Sequence, residues 1–257
     1  MPVSLLTDFG LSDPFVGVMK GVMLGIHPDA VIVDLTHDIP PQQIEQAAFL
    51  LHANYQFFPE GTIHVVVVDP GVGSERVILG VKTPDYLFIA PDNGVLKYIF
   101  DVYPNAEVYK LTNSRYWLQP TNHTFHGRDI FAPVAAHLSR GVALSEMGRV
   151  FSEYERGQID YPKCEENRIA GRILFFDRFG NAITNISRSL IQGVNVQIHV
   201  RDLKIDGLQT AYSEVSSGSA LAYIGSSGMV EIAINHGSAR DTLCLKQDDS
   251  VVVRLDG

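Results

Sequence analysis

The stretch Ile63-His-Val-Val-Val-Val-Asp-Pro-Gly-Val-Gly-Ser-Glu-Arg76 contains the strand around which we expect this chain to fold. Its four consecutive valines are β-branched, and such an uninterrupted apolar run predicts a strand covered on both faces. Asp69 follows this strand directly, and a turn with Pro70 and two glycines leads to Arg76. Ligands of open α/β sheets bind at the carboxyl ends of the strands, so this turn is the first candidate for a site.

The same turn has two simpler interpretations. Aspartate often caps a turn after a strand, which would give Asp69 a structural role only. Two glycines near a strand end also suggest a phosphate loop, but no Gly-Lys-Ser or Gly-Lys-Thr follows Gly73, and we discount that interpretation.

Composition limits the class of protein. A chain of 257 residues with 46% hydrophobic residues can bury a large core. The formal net charge of −9 and the absence of lysine or arginine clusters argue against a nucleic-acid partner or a membrane surface. Cys164 and Cys244 are too few for a disulfide framework. With no signal-peptide pattern and no apolar run near the roughly 20 residues that span a bilayer, we expect a cytoplasmic protein.

Strands alternate with helices through residues 1–150. An Asp13-Pro14 pair predicts a helix N-cap followed by proline at the first helical position. This alternation predicts an α/β N-terminal domain with a mainly parallel sheet covered by helices. The predicted strands are 3–7, 31–35, 63–68, 77–81, 86–90 and 107–111, and the predicted helices are 14–26, 43–55 and 130–140.

The pattern changes after residue 150. Residues 151–164 are charged and predict a linker, and residues 165–257 contain short apolar runs separated by glycine, serine, asparagine and aspartate. This spacing favours a smaller C-terminal all-β, barrel-like domain. The predicted strands there are 169–176, 197–200, 221–224, 229–234 and 251–255.

Polar residues at several predicted strand ends leave two chemistries open. One is a metal-dependent phosphoesterase, because carboxylates and histidines at strand ends bind ions in many hydrolases. Its ligands would be Asp8, Asp34, His37 and Asp92. Solvated turn residues explain this set about as well as a metal centre does.

The other chemistry is the activation of water by Asp69, Arg76 and His126. Arginine keeps a neighbouring aspartate ionised, and a histidine titrates in the useful range. The three side chains could therefore orient and partly deprotonate a water molecule.

Five motifs, in this order along nearly the whole chain, resemble those of the S-adenosylmethionine hydroxide adenosyltransferases, relatives of the S-adenosylmethionine-dependent fluorinase and chlorinase. The motifs are Thr-Asp-Phe-Gly-x-x-Asp (7–13), Val-Asp-Pro-Gly-Val-Gly-x-x-Arg (68–76), Ala-Pro-Asp-Asn-Gly (90–94), Thr-Phe-His-Gly-Arg-Asp (124–129) and Phe-Asp-x-Phe-Gly-Asn (176–181).

The resemblance implies a homotrimer with each ligand held between the N-terminal domain of one subunit and the β domain of its neighbour. It implies that Asp8 binds the ribose hydroxyls and Asp13 the ammonium of the methionine part. The further substrate-binding residues that it implies are Asn93, Phe125, Asp177, Phe179, Asn181, Ser226, Ser227 and Glu231. The substrate would be S-adenosylmethionine and the product adenosine, with no metal and no other cofactor.

The halogenating relatives carry a tyrosine or another uncharged group where this chain has Asp69 and His126. A buried carboxylate repels a halide, whereas the carboxylate, arginine and histidine can hold water. We therefore expect hydrolysis of S-adenosylmethionine to adenosine and methionine by attack of water on the ribose C5′ carbon. A non-catalytic sensor of S-adenosylmethionine or adenosine remains the alternative outside enzymes.

Overall fold

The computed structural model describes residues 1–191 and 195–256, and the chain divides into two compact units, Met1–Ile159 and Asp160–Gly257. Residues 151–162, which end the first unit and begin the second, contain neither helix nor strand. Each unit has its own hydrophobic core. Within the described residues, the structure contains no helix of the length and hydrophobicity needed to cross a bilayer.

The first unit is built on a seven-stranded sheet with the strand order β2-β1-β3-β5-β4-β6-β7. Five strands point the same way, since β2, β1, β3 and β5 pair in parallel and β6 lies two antiparallel steps beyond β5. Only β4 and β7 run in the opposite direction. The prediction of a mainly parallel sheet is confirmed. The strands are β1 (Val3–Thr7), β2 (Ile32–Thr36), β3 (Ile63–Val67), β4 (Ile78–Lys82), β5 (Leu87–Pro91), β6 (Glu107–Leu111) and β7 (Gly148–Val150).

Strand β3 lies inside this sheet, and all five of its residues are buried. Val65 packs into one hydrophobic core and Val66 into the other, because successive side chains of a strand point to opposite faces. The helices of the unit cover the two faces, which confirms the prediction drawn from the valine run. They are α1 (Phe15–Ile26), α2 (Ile44–Asn54), α3 (Lys97–Val102), α4 (Ala132–Ser139) and α5 (Leu144–Met147).

Two helix starts differ from the sequence prediction. Helix α1 begins at Phe15 with Pro14 in the N-cap position, and no side chain caps it, so the expected cap by Asp13 is wrong. Before α4, the chain forms a π-helical turn over Gly127–Phe131, in which the N–H of Ala132 bonds to the carbonyl of Gly127. The apolar pattern of 130–140 indicated a helix but not this wider turn.

The second unit is an eight-stranded antiparallel sheet with the order β12-β11-β15-β9-β10-β14-β13, in which β8 also pairs with β9. The segment after β12 reaches the other edge, where the N–H of Gln209 bonds to the carbonyl of Ala222 at 2.8 Å. The sheet therefore nearly closes, as the barrel-like prediction required. Its elements are β8 (Lys163–Glu165), β9 (Arg168–Phe176), β10 (Ala182–Ser187), β11 (Asn195–Val200), β12 (Leu203–Asp206), β13 (Ala220–Ile224), β14 (Met229–Ile234), α6 (Ala239–Thr242) and β15 (Ser250–Asp256).

Candidate active site

The first unit has a cleft of about 360 Å³ beyond the carboxyl ends of β1 and β3. Residues that follow these two strands form its base, and the segment before the π-helical turn forms one wall. Four residues predicted from the sequence line it, which are Asp8, Asp69, Phe125 and His126. The other lining residues are Phe9, Phe15, Pro41, Gln42, Val67, Pro70, Val72, Thr124 and Gly127.

Asp69, Arg76 and His126 lie in direct contact at this cleft. The Nε atom of Arg76 lies 2.8 Å and 3.0 Å from the two carboxylate oxygens of Asp69, and Nη2 also donates to Oδ2. The same Nη2 lies 2.8 Å from Nδ1 of His126. The side chains of Asp69 and Arg76 are only 5% and 10% exposed. A buried, bidentate pair of this kind fixes both side chains, and the arginine holds the histidine in turn.

The contact with Arg76 determines the tautomer of His126. Arginine can only donate hydrogen bonds, so Nδ1 of His126 must accept, and the neutral ring carries its proton on Nε2. Burial, and then the charge of Arg76, lower the pKa of His126 below its usual value. The imidazole is therefore neutral near pH 7 and carries an N–H group at Nε2, on the side of the ring away from Arg76.

Asp8 and a cluster of aromatic rings complete the cleft. Oδ2 of Asp8 accepts a bond of 2.8 Å from the N–H of Gln42, a residue in the left-handed region with φ of 66°. The rings of Phe9, Phe15 and Phe125 pack together with centroid separations of 5.1 to 5.9 Å. The cleft thus contains the carboxylate of Asp8, a wall of three phenylalanine rings, and the contact of Arg76 with Asp69 and His126.

Two residues that the resemblance assigns to substrate binding do not line the cleft. The Nδ2 atom of Asn93 donates to the carbonyl of Val68 at 2.9 Å, so Asn93 supports the chain next to Asp69 and does not line the cleft. Asp13 is exposed and is also absent from the lining residues. Both remain predictions as substrate contacts.

The residues of the phosphoesterase alternative do not form one cluster. Asp34 bonds to Lys20 at 2.6 Å and lies 3.0 Å from Nε2 of His37. Asp92 accepts from the N–H of Glu155 at 2.8 Å. Within residues 1–191 and 195–256, no group of three or more histidine, cysteine, aspartate or glutamate side chains is arranged to hold a metal ion.

In the second unit, the predicted residues 177–181 form a tight turn between β9 and β10. Oδ1 of Asp177 accepts from the N–H groups of Phe179 (2.9 Å) and Asn181 (2.8 Å). Its Oδ2 accepts from Nδ2 of Asn181 at 2.8 Å. Gly180 has φ of 82° and lies against Ser238, where an added Cβ would be 2.1 Å from the hydroxyl oxygen. This turn presents Phe179 outward, with 76% of its surface exposed.

Sequence reasoning missed two tyrosines that continue from this turn. The hydroxyl of Tyr212 lies 3.1 Å from Nδ2 of Asn181 and 2.7 Å from the hydroxyl of Tyr223. Tyr223 donates in turn to the buried Glu231. Burial raises the pKa of Glu231, and the Tyr223 bond opposes that shift. Tyr212 and Tyr223 stand in separate segments without a recognisable motif, so the sequence alone carries no signal for this contact.

The glycine turn between β13 and β14 approaches the same glutamate. A Cβ added to Gly225 would lie 1.7 Å from Oε1 of Glu231, so only glycine allows this approach. The next residue, Ser226, is exposed, and the hydroxyl of Ser227 is buried without a hydrogen-bond partner among the described residues. Glu231 thus contacts both the tyrosines and the turn that carries the two predicted serines.

A second cavity, of about 840 Å³, lies beside the 177–181 turn. Aromatic and aliphatic side chains line it together with serines, asparagines and one exposed histidine. The residues that line it are Phe179, Asn181, Tyr212, Ser213, Ser217, Ile234, Asn235, His236 and Gly237.

Comparisons with known proteins agree with these features. Residues 3–148 match the family model of the SAM hydroxide adenosyltransferase N-terminal domain, and residues 171–252 match that of the C-terminal domain. The chain is 37% identical over 254 residues to a protein of Thermus thermophilus named (R)-S-adenosyl-L-methionine hydrolase, covering 96% of both chains. It is 29% identical over 270 residues to a fluorinase of Actinoplanes, covering 91% of this chain and 90% of the relative.

A solved structure is similar over the whole chain. It is the crystal structure of an uncharacterized conserved protein from Thermotoga maritima, with a TM-score of 0.92 and 36% sequence identity, covering 98% of this chain and 99% of the other. The motifs, the two domain matches and the overall fold lead to one conclusion. The chain belongs to the SAM hydroxide adenosyltransferase family.

Proposed function

We propose that this protein hydrolyses S-adenosyl-L-methionine to adenosine and L-methionine, with Asp69, Arg76 and His126 acting on water. The observation that supports this proposal best is the buried contact of Arg76 with both Asp69 and His126 at the floor of a cleft. Family membership and the relative named as a hydrolase of the same substrate support it from the sequence side.

Asp69 is the group in this contact that can take up a proton. Its carboxylate oxygens retain free lone pairs beside the bonds from Arg76, whereas His126 uses its unprotonated nitrogen for Arg76. Water held by Asp69 would attack the ribose C5′ carbon. The new carbon–oxygen bond forms as the carbon–sulfur bond breaks, the electron pair stays on the sulfur of neutral methionine, and the proton passes to Asp69 and then to solvent.

The remaining residues of the cleft would position water and substrate. The Nε2–H group of His126, which has no hydrogen-bond partner among the described residues, would donate to the oxygen of the attacking water and direct a lone pair of that oxygen toward the carbon. Attack on a sulfonium neutralises charge in the transition state, so a buried site accelerates this reaction relative to water. Asp8, at the rim of the same cleft, is the proposed partner of the ribose hydroxyls.

The second unit contains a cavity of its own, and we propose that the working enzyme is a homotrimer. In this assembly the cleft of one subunit would meet the 840 Å³ cavity region of its neighbour, with Asp177, Phe179, Asn181 and the Ser226 and Ser227 turn contacting the substrate. The exposed ring of Phe179 supports this arrangement, since a large exposed aromatic residue often marks a contact surface. We propose a cytoplasmic location, which suits the two exposed free cysteines.

The experiment that tests the reaction is incubation of the purified, chelator-treated protein with S-adenosylmethionine in ¹⁸O-labelled water. Products are separated and weighed by mass spectrometry. Adenosine with the label at its 5′ oxygen, together with methionine, is the expected result and identifies water as the nucleophile. Unlabelled adenosine, or loss of activity that added metal restores, would contradict the proposal. Binding without any product would point to the sensor alternative.

A further inference from the structure

Residues 151–158 are fastened to the first unit, although they form neither helix nor strand. The N–H of Phe151 bonds to the carbonyl of Val108 in β6 at 2.8 Å. The ring of Tyr154 packs on that of Phe100 in α3, with the ring centroids 4.5 Å apart. Phe151 and Tyr154 both pack against a hydrophobic core of the unit. The first half of this segment therefore has apolar anchors as well as a hydrogen bond.

Polar contacts continue along the second half of the segment. The N–H of Glu155 donates to Oδ1 of Asp92, in the turn after β5, at 2.8 Å. Nη2 of Arg156 donates to the carbonyl of Pro104 at 3.2 Å. Asp92, a metal-ligand candidate of the phosphoesterase alternative, thus has an anchoring role in the structure.

Lys97, the first residue of α3, provides a further anchor from inside the unit. Its side chain is only 8% exposed and pairs with Glu45 of α2. The same Nζ atom donates to the carbonyl of Gln158 at 3.0 Å. Because a buried ammonium group requires partners in place of water, the Gln158 carbonyl helps to stabilise this charge. Hydrogen bonds to charged groups are also stronger than those between neutral groups.

The second unit begins with anchors of its own. Oδ2 of Asp160 accepts from Nε of Arg172 at 2.7 Å, and the carbonyl of Asp160 accepts from Nδ2 of Asn185 at 2.9 Å. Ile159 is the residue between Gln158, which is held in the first unit, and Asp160. A flexible chain of about nine residues has a mean end-to-end distance of roughly 15–18 Å, whereas one residue spans at most about 3.6 Å. The fastened segment therefore gives the connection much less freedom than an unattached linker would have.

We propose that residues 151–158, which we call the strap, limit motion between the two units to the connection at Ile159, and that Lys97 is the main anchor of the strap. Loss of this anchor would convert the strap into a flexible linker. The consequence for activity rests on the proposed function, in which one site uses the cleft of one subunit and the cavity of its neighbour. Such a site is preorganised when the second unit has little freedom, so release of the strap weakens substrate binding and leaves the chemical step unchanged.

Limited digestion of the full-length protein with trypsin measures release of the strap. Arg156 is exposed, but trypsin cleaves after it only when the surrounding chain leaves its anchors, so the cleavage rate follows the population of the released state. We expect cleavage after Arg156 to be slow in the wild type and at least about tenfold faster in Lys97→Met and in Tyr154→Ala. The matched control is Lys20→Met, which removes a 2.6 Å bond to Asp34 outside the strap and should leave the rate unchanged.

Steady-state kinetics with S-adenosylmethionine test the consequence for binding. Lys97→Met should raise KM by about three- to tenfold, because only part of the population then has the binding-competent arrangement. The value of kcat at saturating substrate should stay within about twofold of the wild type, since bound substrate selects that arrangement. Lys20→Met should keep both constants.

The outcomes separate the strap from the proposed function. Equal rates of cleavage after Arg156 in the wild type, Lys97→Met and Tyr154→Ala would overturn the strap, whatever the activity. Cleavage after Lys110, inside β6, that rises by the same factor would assign Lys97 to the stability of the whole unit and would also overturn it.

The kinetic result decides the role of the strap in binding. Faster cleavage after Arg156 alone, together with an unchanged KM, would overturn that role. A wild type that does not convert S-adenosylmethionine would remove the proposed function, while the cleavage rates would still decide whether the strap exists. Thermal unfolding identifies a variant that does not fold, and if Lys97→Met fails to fold, Tyr154→Ala replaces it in both measurements.

Discussion

Nη2 of Arg76 lies 2.8 Å from Nδ1 of His126, and this contact requires an imidazole without a proton on that nitrogen. Protonated His126 would lose its bond to Arg76 and place a second positive charge beside it. Activity is therefore expected to fall as the pH decreases through the pKa of His126. Burial and the charge of Arg76 lower that pKa, so the decline should lie on the acid side of the ordinary value of about 6.5.

The measurement is kcat/KM for S-adenosylmethionine between about pH 4.5 and 8.5. His199→Gln, which changes a histidine of the second unit, should keep the same acid limb, whereas the residual activity of His126→Gln should lack it. An acid limb centred above pH 7 in the wild type would contradict the neutral, low-pKa assignment of His126.

Asp69→Asn should greatly reduce turnover and leave substrate binding largely intact. The amide keeps the shape of the side chain but accepts no proton from water, and it loses the charge that pairs with Arg76. Removal of a general base typically costs about 10²- to 10⁴-fold in rate. Single-turnover rates and the dissociation constant of S-adenosylmethionine are to be compared.

One control variant and one second test variant accompany Asp69→Asn. Glu107→Gln makes the same carboxylate-to-amide change in the exposed ion pair with Lys82 and should leave the rate unchanged. His126→Ala should reduce turnover while binding persists. Wild-type rates in both Asp69→Asn and His126→Ala would exclude the proposed water-activating contact.

Mixed oligomers test whether one active site draws on two subunits. Asp69→Asn and Asn181→Ala should each be weakly active alone, because one damages the cleft and the other the cavity. After the two are unfolded and refolded together in equal amounts, about one site in four should combine an intact cleft with an intact neighbouring cavity. Activity that stays at the sum of the separate variants would show that each site lies within one subunit.

The turn at Gly180 should tolerate no side chain. Gly180 has φ of 82°, and an added Cβ would lie 2.1 Å from the hydroxyl oxygen of Ser238. Gly207 has a similar φ of 76° but open space around it. Both alanine variants carry backbone strain of roughly 1 kcal/mol, whereas only Gly180→Ala also displaces the 177–181 turn.

Adenosine affinity distinguishes these two variants. Gly180→Ala should bind adenosine at least about tenfold more weakly, while Gly207→Ala should lose thermal stability only. Titration calorimetry and a thermal unfolding scan on both proteins provide the comparison. Equal adenosine affinity in the two variants would mean that the 177–181 turn does not shape the ligand surface.

Local sequence patterns were sufficient for much of the fold. The valine run identified β3 because β-branched residues buried on both faces leave a continuous apolar signal. Strand β10 was missed, since Thr184 and Asn185 interrupt its apolar pattern. In the structure Thr184 is fully buried and satisfies its hydroxyl on the carbonyl of Val230 at 2.7 Å. Such a polar core position depends on a partner 46 residues away, which no local pattern reveals.

In the candidate site too, some contacts follow from local sequence and others depend on the folded structure. Asp69 and Arg76 stand seven residues apart in one motif, and their contact follows from a short turn. The hydrogen bonds among Tyr212, Tyr223 and Glu231 join side chains from different strands and loops, so no single sequence motif contains them. Sequence could propose His126 as a member of the site, but its tautomer depends on the geometry of Arg76.

The π-helical turn over Gly127–Phe131 constrains the number of residues between His126 and helix α4. This wider turn lets His126 face Arg76 while α4 keeps its apolar residues in the core. Because each residue of a regular helix turns the chain by about 100°, inserting or deleting one residue would point either the imidazole or the helix the wrong way. A mutational scan of 127–131 should therefore accept conservative replacements at Ile130 and reject every single-residue insertion and deletion, a form of intolerance that substitution data alone would not detect.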